Sequence, residues 1–541
     1  MKIGMRKITL ILGLLMILMS FSILSACDSA PTTSSGTTSG TTTGGTTSGT
    51  TTGSTTTSSG DVSLLYDTMT EWTVMTTDFV NAPTSGDLPG YKGIAEKFNV
   101  QMVFTLVNSA DYNTRLNLEL SSGNPPYLIW AGDPMVQYYG TGAVVDLTEY
   151  IDAGLAPNFL AKISEDPAVQ KNFMTDDGKY YSFRRLQGGF DPLQFAIYTP
   201  WLKTLNLDMP ETTDELYATL KAMKTLDPKI IPWTRGQWHT GAHSLEGPIY
   251  QAFGTSSSWF HFAIDEYVFG PYERQDEMKE ALKYLNKLYS EGIIDQEYLS
   301  VDHDAYMAKL SNGEVGLVYG WFGGTHMSPV DENGNWVEPF DWEVMPVVAG
   351  PSGIRVSEAL DAVGPGMHVM SSHPDPDKAV ILFDWLYSDE GIEFTNWGIK
   401  DLTYTVENDT YAYTDMIMKH EAGIMNGMRS NGFFMNNFTN VVDPEALAVM
   451  FSSNMTRGIN ANLPFARAQN PLLTPSDAER DIERQMGADI MGLVDEMLPQ
   501  FVVGRADVDT QYDAFITNLE QMGVKDYIAN RRAQYDRWKN R

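Results

Sequence analysis

The sequence has almost no cysteine, since Cys27 is the only one among its 541 residues. A single cysteine excludes an internal disulfide. Basic residues are also scarce: 37 Lys and Arg stand against 69 Asp and Glu, a formal net charge of −32. A chain this acidic repels nucleic acid and anionic lipid headgroups, so we expect neither as a binding partner.

Long hydrophobic runs are missing beyond the N-terminus. Residues 8–24 are almost wholly apolar, and no later stretch of about 20 residues is comparable, so the body of the chain offers no second candidate for a membrane-spanning helix. Three basic residues precede this run, and Leu24-Ser25-Ala26-Cys27 ends it. This order of basic, apolar and small residues predicts a cleavable signal peptide over residues 1–26.

The residues around the predicted cleavage point carry a second signal. Leu24-Ser25-Ala26-Cys27 resembles the lipobox of bacterial lipoproteins, which implies that Cys27 is acylated (palmitate) and holds the protein on the outer face of the cell membrane. Residues 32–60 contain only Thr, Ser and Gly. Such a segment has no apolar side chain to bury and stays a flexible coil. We therefore interpret residues 27–60 as an acylated Cys and a flexible linker.

The body, residues 61–541, is too long for one hydrophobic core, which stops growing near about 250–300 residues. We expect at least two lobes. Residues 100–107 are typical of a strand, 111–120 of a helix, and 127–130 of a buried strand. This strand–helix–strand order predicts parallel pairing and an α/β fold.

Capping sequences predict several helix starts. Thr212 is followed by Glu215, and Ser476 by Glu479, at the spacing of a capping box. Asp375-Pro376 is typical of another helix start. The apolar residues that we expect to face inward from this helix are Ala379, Leu382, Phe383 and Leu386.

Four groups of motifs follow one another along the body. They are residues 121–133 (Ser-Ser-Gly-Asn-Pro-Pro-Tyr-Leu-Ile-Trp-Ala-Gly-Asp) with Val145-Asp146-Leu147, residues 177–183 (Asp-Gly-Lys-Tyr-Tyr-Ser-Phe), residues 378–391 with Gly398-Ile399 and Tyr404, and the tail from 501–505 to 535–538. Together they resemble the extracellular solute-binding proteins of carbohydrate ABC transporters, in the branch of large lipoproteins.

The resemblance implies a two-lobed α/β fold of the periplasmic-binding-protein type (type II), with a hinge and a ligand cleft between the lobes. The first lobe would comprise about 61–190 plus about 345–400, and the second about 191–344 plus about 401–541. The implied protein is a monomer without cofactor or catalytic activity. It captures a carbohydrate, an oligosaccharide above all, and delivers it to the transmembrane subunits of an ABC permease.

Candidate ligand-binding residues come from the resemblance and from their placement. Trp130 and Asp133 end a predicted strand where similar maltodextrin-binding proteins stack a Trp on a sugar and bond its hydroxyls with an Asp. Trp321 ends another predicted strand in a glycine-rich loop. The further candidates lie on predicted loops or at predicted lobe crossings: Trp72, Arg184, Asp191, Trp233, Trp238, Trp259, Asp361 and Trp397.

Patterns for catalysis and metal binding are weak. His239 and His243 are four residues apart, but no Glu follows His239, so the pair does not match the zinc-protease motif. Residues 331–335 lack the twelfth-position Glu of an EF-hand and predict a hairpin turn instead. We predict no metal site.

Several alternatives stay open. A cell-surface glycan-active enzyme would need two carboxylates about 5–10 Å apart across a cleft, and 69 acidic residues leave room for them. A sensor or a peptide-binding protein on the same fold is a further possibility. Within the sugar class, many aromatic and few basic residues favour a neutral ligand, whereas an acidic uronate would need Arg184, Arg185 or Arg235 in the cleft.

Overall fold

The structure is a computed structural model, and it describes residues 64–78, 84–188, 193–235, 246–262, 266–321, 331, 336–357, 361–433 and 438–541. The predicted signal peptide, Cys27 and the linker lie outside the described residues. In the part that is described, no helix is long and apolar enough to cross a membrane.

The strands fall into two main sheets and two hairpins. Their bounds are β1 (Thr70–Thr77), β2 (Val100–Val107), β3 (Leu128–Ala131), β4 (Phe183–Leu186), β5 (Leu193–Tyr198), β6 (Ile231–Arg235), β7 (Trp259–His261), β8 (Tyr267–Phe269), β9 (Val315–Trp321), β10 (Trp342–Val344), β11 (Val363–Val369), β12 (Tyr404–Glu407) and β13 (Thr410–Tyr413). The first sheet has the order β2-β1-β3-β11-β4, and the second has β10-β5-β9-β6.

The helices surround these sheets. Their bounds are α1 (Pro89–Phe98), α2 (Tyr112–Ser121), α3 (Thr148–Asp152), α4 (Pro157–Ile163), α5 (Pro167–Gln170), α6 (Thr199–Leu205), α7 (Thr213–Met223), α8 (Gly247–Ala252), α9 (Gly270–Glu273), α10 (Gln275–Ser290), α11 (His303–Ser311), α12 (Pro376–Trp385), α13 (Asp389–Asn396), α14 (Asp415–Met418), α15 (Ile424–Ser430), α16 (Pro444–Met450), α17 (Ser453–Asn462), α18 (Asp477–Ile482), α19 (Ala488–Val502), α20 (Val508–Gln521) and α21 (Val524–Lys539).

The first sheet forms one lobe. β1 pairs in parallel with β2 and β3, as the strand–helix–strand order predicts, and β11 inserts antiparallel between β3 and β4. Its core joins the sheet to α1, α4 and α12 through side chains such as Ile94, Phe159 and Phe383. Residues that return from later in the sequence thus complete this lobe.

The second sheet forms the other lobe, in which β6 and β9 are parallel and β5 is antiparallel to β9. One face is covered by α7, α10, α19 and α20, and the other by α14–α17. Met345 and Val348 pack in this core, although our predicted boundary assigns them to the first lobe. The chain passes between the two sheets after β4 and again before β11.

Both predicted capping boxes are confirmed: the side chains of Thr212 and Ser476 each accept a bond from the backbone N–H of the glutamate three residues on, and the carboxylate of that glutamate accepts a bond from the backbone N–H of the cap residue. The helical segment that begins after Ser476 is not uniformly α-helical. A π-helical turn over Glu483–Gly487 separates α18 from α19. Wide turns of this kind occur often at functional sites, and this one holds Glu483 against α21.

Candidate binding cleft

The carboxyl ends of strands from both sheets meet at the boundary between the lobes. β3 ends at Ala131 in the first sheet, and β6 and β9 end at Arg235 and Trp321 in the second. Ligands of open α/β sheets bind beyond the carboxyl ends of the strands. This boundary is therefore where the structure should carry its site.

A cavity of about 250 Å³, which we name the cleft cavity, opens at this boundary. Residues that follow β3 form its first-lobe wall, and the segment around α18 together with α21 forms the other wall. The lining residues are Asp133, Pro134, Val136, Gln137, Pro471, Leu473, Pro475, Arg480, Glu483, Arg484 and Arg531.

Asp133 supplies the carboxylate of the first-lobe wall. It begins a short 3-10 helix directly after β3, and its side chain is 76% exposed. Arg184 lies 3.5 Å from it and is anchored by a 2.8 Å bond from its Nε to the carbonyl of Gly364. An exposed carboxylate beside a fixed guanidinium offers both an acceptor and donors to a polar ligand.

His368 packs in the interior behind this wall. It lies on β11 and is fully buried, with Nδ1 3.2 Å from the carbonyl of Ile129 and Nε2 2.9 Å from the hydroxyl of Tyr139. Burial lowers the pKa of His368 to about 3, and the charge of Arg184 acts in the same direction. The imidazole is therefore neutral at physiological pH. With Nδ1–H donating to Ile129, Nε2 accepts from Tyr139.

Arg531 dominates the opposite wall. Its guanidinium lies 3.4 Å from Glu483 and donates a 3.1 Å bond to the hydroxyl of Tyr267. Burial raises the pKa of Tyr267, so this phenol stays protonated. Arg480 is paired with Asp477 and donates to the carbonyl of Pro475 at 3.0 Å. These pairs fix positive groups at the cavity wall of an otherwise acidic chain.

Behind Arg531 lies a column of rings, the aromatic stack, formed by Trp259, Tyr267, Tyr535 and Trp538. Successive ring centroids are 5.1, 5.2 and 5.7 Å apart, and the interplanar angles are 18°, 19° and 24°. Leu473 of the cleft cavity packs against the same cluster. The stack therefore joins the hairpin β7–β8 to α21 and supports one side of the cavity.

The end of α21 connects the lobes. Asp176 of the first lobe is paired with Arg537 at 2.6 Å and with Arg541 at 2.5 Å. The indole of Trp538 donates a 2.9 Å bond to the side chain of Asn172. These contacts hold the C-terminal helix of the second lobe against the first lobe, next to the cleft cavity.

A larger cavity of about 550 Å³, the hinge cavity, lies where the chain crosses between the lobes. Its floor includes Leu186, Ala362 and Val441, and the indole of Trp397 donates 2.8 Å to Asp443 in its wall. Apart from Lys162, the charged groups of the lining are carboxylates: Glu165, Asp166, Asp389, Glu393, Asp443 and Glu445.

The predicted site residues separate into groups. Asp133 and Arg184 are brought together, and Trp259 lies across the cavity behind Arg531, whose guanidinium carbon is 5.6 Å from the ring centroid of Trp259. Trp130 is buried beneath the strand ends in the core of the first lobe. Trp397 belongs to the hinge cavity.

Two predicted residues require correction. Trp72 and Trp233 are both 0% exposed and are core residues of the first and second lobes. A ring without accessible surface presents no face to a sugar in this conformation. Each lies within a strand, and the sequence does not reveal which face of the sheet such a ring occupies.

Asp361 lies at a crossing between the lobes, as predicted. Its carboxylate accepts bonds from the Arg467 side chain at 2.8 Å and the Asn470 backbone at 2.7 Å, so it is engaged within the protein. Asp191, Trp238 and the histidine pair 239 and 243 lie outside the described residues, as does the side chain of Trp321.

Sequence reasoning missed several residues of the cleft. Arg531 lies on a helix near the C-terminus, and only the fold brings it to Asp133. Glu246, which precedes α8, is 5% exposed, and its Oε2 has no hydrogen-bond partner in the described structure, but it does not line the cleft cavity.

The described residues contain no group of three or more His, Cys, Asp or Glu side chains placed to hold a metal ion. The predicted turn at 331–335 lies almost wholly outside those residues. The motif Asp177-Gly178-Lys179 forms a turn, in which Gly178 adopts φ = 79° and Met174 bridges to Tyr180.

The sequence and the structure of this chain are similar to those of known proteins. The sequence model of the family described as bacterial extracellular solute-binding protein matches residues 82–393, more than half of the chain. The fructooligosaccharide ABC transporter substrate-binding protein FusA of Streptococcus pneumoniae serotype 4 is 24% identical over 469 residues, which cover 79% of this chain and 83% of FusA.

Two further proteins are similar. The polygalacturonan/rhamnogalacturonan-binding protein YtcQ of Bacillus subtilis is 28% identical over 241 residues, which cover 42% of this chain and 46% of YtcQ. The crystal structure of the alginate-binding protein AlgQ2 without calcium ion superimposes with a TM-score of 0.75 at 22% identity, covering 88% of this chain and 100% of that one. At that identity the structural likeness concerns the fold.

Proposed function

Because this chain belongs to the family of bacterial extracellular solute-binding proteins, we propose that it captures an oligosaccharide between its two lobes and delivers it to an ABC permease. FusA and YtcQ are described as binding proteins for saccharides, and AlgQ2 as one for alginate. The proposal extends their ligand class to this chain. The protein acts as a carrier, without turnover of its ligand.

The observation that carries this proposal is the cleft cavity, in which groups from both lobes converge. Asp133 can accept bonds from ligand hydroxyls, and Arg184 and Arg531 are held in place to donate them. A ligand that contacts both walls favours the closed arrangement of the lobes, because it binds that state more tightly. We retain Trp130, Trp259, Trp321, Trp238, Asp191 and Asp361 as proposed contributors around this cavity.

A thermal-unfolding screen with neutral and acidic oligosaccharides and with peptides tests the proposal. A ligand at 100 times its Kd stabilises the folded state by about 2.7 kcal/mol. We expect a shift with a saccharide, loss of that shift in Asp133→Ala, and its retention in Asp389→Asn of the hinge cavity. Absence of a shift with every saccharide, or hydrolysis of one by the purified protein, would reject the carrier function.

We also propose that Cys27 is acylated after removal of residues 1–26 and that residues 27–60 tether the body to the membrane. The proposal rests on the lipobox-like Leu24-Ser25-Ala26-Cys27 and the Thr/Ser/Gly composition that follows it. Tethering raises the effective concentration of the carrier at its permease. Fractionation of cells that express wild type or Cys27→Ala should show the variant released from the membrane, and retention of both forms would contradict the anchor.

For the lobes, we propose that the second extends past Val348, because Met345 and Val348 pack in its core. The remaining boundaries stay as predicted. We propose that the protein is monomeric, and sedimentation with and without ligand tests this.

A further inference from the structure

The lobes are joined by more than the segments of chain that cross between them, because one stretch of the first lobe is bonded to the end of α21. This stretch, residues 172–176, lies between α5 and β4, and Phe173 anchors it in the core of the first lobe. α21 belongs to the second lobe, since Val524 and Tyr527 pack in that core. We name the contact between residues 172–176 and residues 537–541 the interlobe latch.

Asp176 is the carboxylate of the interlobe latch. Its Oδ1 accepts bonds of 2.9 Å and 2.5 Å from Nε and Nη2 of Arg541, and its Oδ2 accepts a 2.6 Å bond from Nε of Arg537. Glu479 of the second lobe holds Arg537 in place with two bonds of 2.7 Å. Charge-assisted bonds of this kind are roughly twice as strong as neutral ones. The side chain of Arg541 is only 6% exposed, so solvent screens its pair with Asp176 weakly.

Uncharged contacts extend the interlobe latch on either side of this carboxylate. Arg541 also donates to two backbone carbonyls of the first lobe, those of Lys171 at 2.9 Å and of Met174. The indole of Trp538 donates 2.9 Å to the side chain of Asn172. The interlobe latch is therefore a connected set of bonds, in which the guanidinium of Arg541 is satisfied by groups of the opposite lobe.

The interlobe latch borders the boundary between the lobes that a ligand must enter. A cavity of about 310 Å³ lies there, with Tyr139 and Asp176 of the first lobe and Ser476 and Arg537 of the second among its lining residues. It shares Arg480 with the lining of the cleft cavity. A rotation that moves the walls of the cleft cavity apart therefore also moves Asp176 away from Arg537.

Asn172 connects the interlobe latch to the carboxylate of the cleft. Its side chain accepts the bond from Trp538, and its carbonyl accepts a 3.4 Å bond from Nη1 of Arg184, which lies beside Asp133. Asn172 is 2% exposed, so loss of the indole donor leaves a buried amide with one bond fewer, which costs free energy. The two sides of the boundary are thus coupled through a single buried residue.

We propose that the interlobe latch holds the lobes in the closed arrangement in the absence of a ligand, so that the empty protein is closed for most of the time and opens briefly to admit its ligand. Closure of the empty protein does not depend on what the ligand is, whereas the consequence for saccharide binding rests on the proposed carrier function. A ligand that binds the closed state has an apparent Kd equal to its intrinsic Kd divided by the closed fraction. Entry requires the open fraction, so breaking the interlobe latch should weaken affinity and yet speed association.

The distance between the lobes of the full chain tests the proposal directly. Spin labels at Glu96→Cys on α1 and Gln521→Cys on α20 report it by pulsed electron paramagnetic resonance, in a Cys27→Ser background that removes the only native thiol. Without ligand, we expect one short distance in the otherwise unchanged chain and a second, longer distance in Asp176→Asn. Added saccharide should remove the longer distance in Asp176→Asn and leave the unchanged chain as it was.

Stopped-flow and calorimetric titration with the saccharide that gives the largest thermal shift measure the consequence for binding. Asp176→Asn should bind about 10-fold more weakly, as the loss of hydrogen bonds to a charged group allows, and it should associate faster. A residue that only contacts the ligand would instead change the dissociation rate. Arg541→Gln tests the same contact from the other lobe and replaces Asp176→Asn if urea unfolding shows that variant to be unfolded.

Asp513→Asn is the matched control, because Asp513 pairs with Lys279 at 2.8 Å within the second lobe. It should change neither the interlobe distance nor saccharide binding. Identical distances with and without Asp176→Asn, or a large shortening in the unchanged chain when saccharide is added, overturn the interlobe latch while the carrier function stands. Absence of binding by every saccharide rejects the carrier function, and the distances measured without ligand still decide on the interlobe latch.

Discussion

The cleft cavity is the smaller of the two cavities, but its lining is better suited to a saccharide than that of the hinge cavity. The larger one, about 550 Å³, is bordered by six carboxylates and one lysine. The smaller one, about 250 Å³, combines Asp133 and Glu483 with Arg480, Arg484 and Arg531. A saccharide needs donors and acceptors in fixed positions, and of these two cavities the smaller one combines carboxylates with several guanidinium groups. For this reason we place the proposed site in the smaller cavity.

The hinge cavity has a different relation to the fold. Its floor is made of the segments that cross between the lobes, and its walls would separate or approach when the lobes rotate. The carboxylates that face one another there repel, which favours an arrangement with this cavity open. The ion pairs of the cleft cavity lie along its walls, and the pairs of Asp176 with Arg537 and Arg541 join the two lobes beside it, so the contacts here favour closure.

The largest loss of stability should come from replacing the tryptophans that lie behind the two cavities. Trp538→Ala removes a buried ring and leaves Asn172 without its indole donor, so we expect a loss of about 3–5 kcal/mol in the free energy of unfolding. Trp397→Ala should cost a similar amount, since Trp397 is equally buried. Only Trp538→Ala should also weaken saccharide binding, because the aromatic stack supports Leu473.

Urea unfolding and calorimetric titration of both variants provide the two measurements. Equal weakening of binding by Trp397→Ala would show that the hinge cavity takes part in ligand capture.

The next largest effect on stability is expected from a change of pH, which should act on the first lobe. Burial lowers the pKa of His368 to about 3 and that of His373 to about 4, and both residues lie in the first lobe. An unfolded histidine has a pKa near about 6.5 and takes up a proton below it. Because only the unfolded state takes up these protons at mildly acidic pH, the free energy of unfolding keeps its full value above pH 6.5. It falls as the pH is lowered, by about 2 kcal/mol per histidine at pH 5.

Urea unfolding at pH 7 and pH 5 measures this loss, and His368→Gln and His373→Gln should each lose less stability between the two pH values than the wild type. His420, which is only half-buried, provides a control in His420→Gln. If the pH dependence is the same in all three variants, these two imidazoles do not account for it.

Removal of the cleft carboxylate of Asp133 should have a smaller effect than the changes above, and it should act on ligand affinity. Asp133→Ala removes an acceptor for ligand hydroxyls and the partner of Arg184, so we expect binding to weaken about 10- to 100-fold, as for a hydrogen bond to a charged group. Stability should change little, because Asp133 is exposed. Titration with the saccharide that gives the largest thermal shift measures the effect, and unchanged affinity would remove Asp133 from the site.

The smallest effect on saccharide affinity is expected from substitutions in the hinge cavity. Asp389→Asn and Glu445→Gln each remove one negative charge from its lining, and we expect saccharide affinity to change by less than about twofold, as for exposed charges. The same titration applies. A tenfold loss in either variant would mean that the ligand occupies the hinge cavity, and the comparison between the two cavities would then be reversed.

The sequence alone predicts the local structure well where a single segment determines it. The strand at 100–107, the helix starts at Thr213 and Pro376 and the burial of Ala379 and Leu382 are confirmed. The α/β class is confirmed too, because the alternation of helices and strands and their parallel pairing depend on neighbours in sequence.

The site was predicted only in part, because its walls come from distant segments. Asp133 follows a strand end, which a motif can reveal, but Arg531 reaches the same cavity from a helix nearly 400 residues later. The burial of Trp72 and Trp233 depends on which sheet face is covered by helices.

The aromatic stack has one more consequence, since its two end members are both indoles. Trp259 is half-buried with the guanidinium of Arg531 over its ring, whereas Trp538 is held in the interior by Asn172. The protein therefore contains a natural optical reporter, with one chromophore beside the cleft and one reference chromophore shielded from it. A ligand that draws Arg531 away changes the surroundings of Trp259 more than those of Trp538. Intrinsic fluorescence should register each capture event, in real time and without any attached dye.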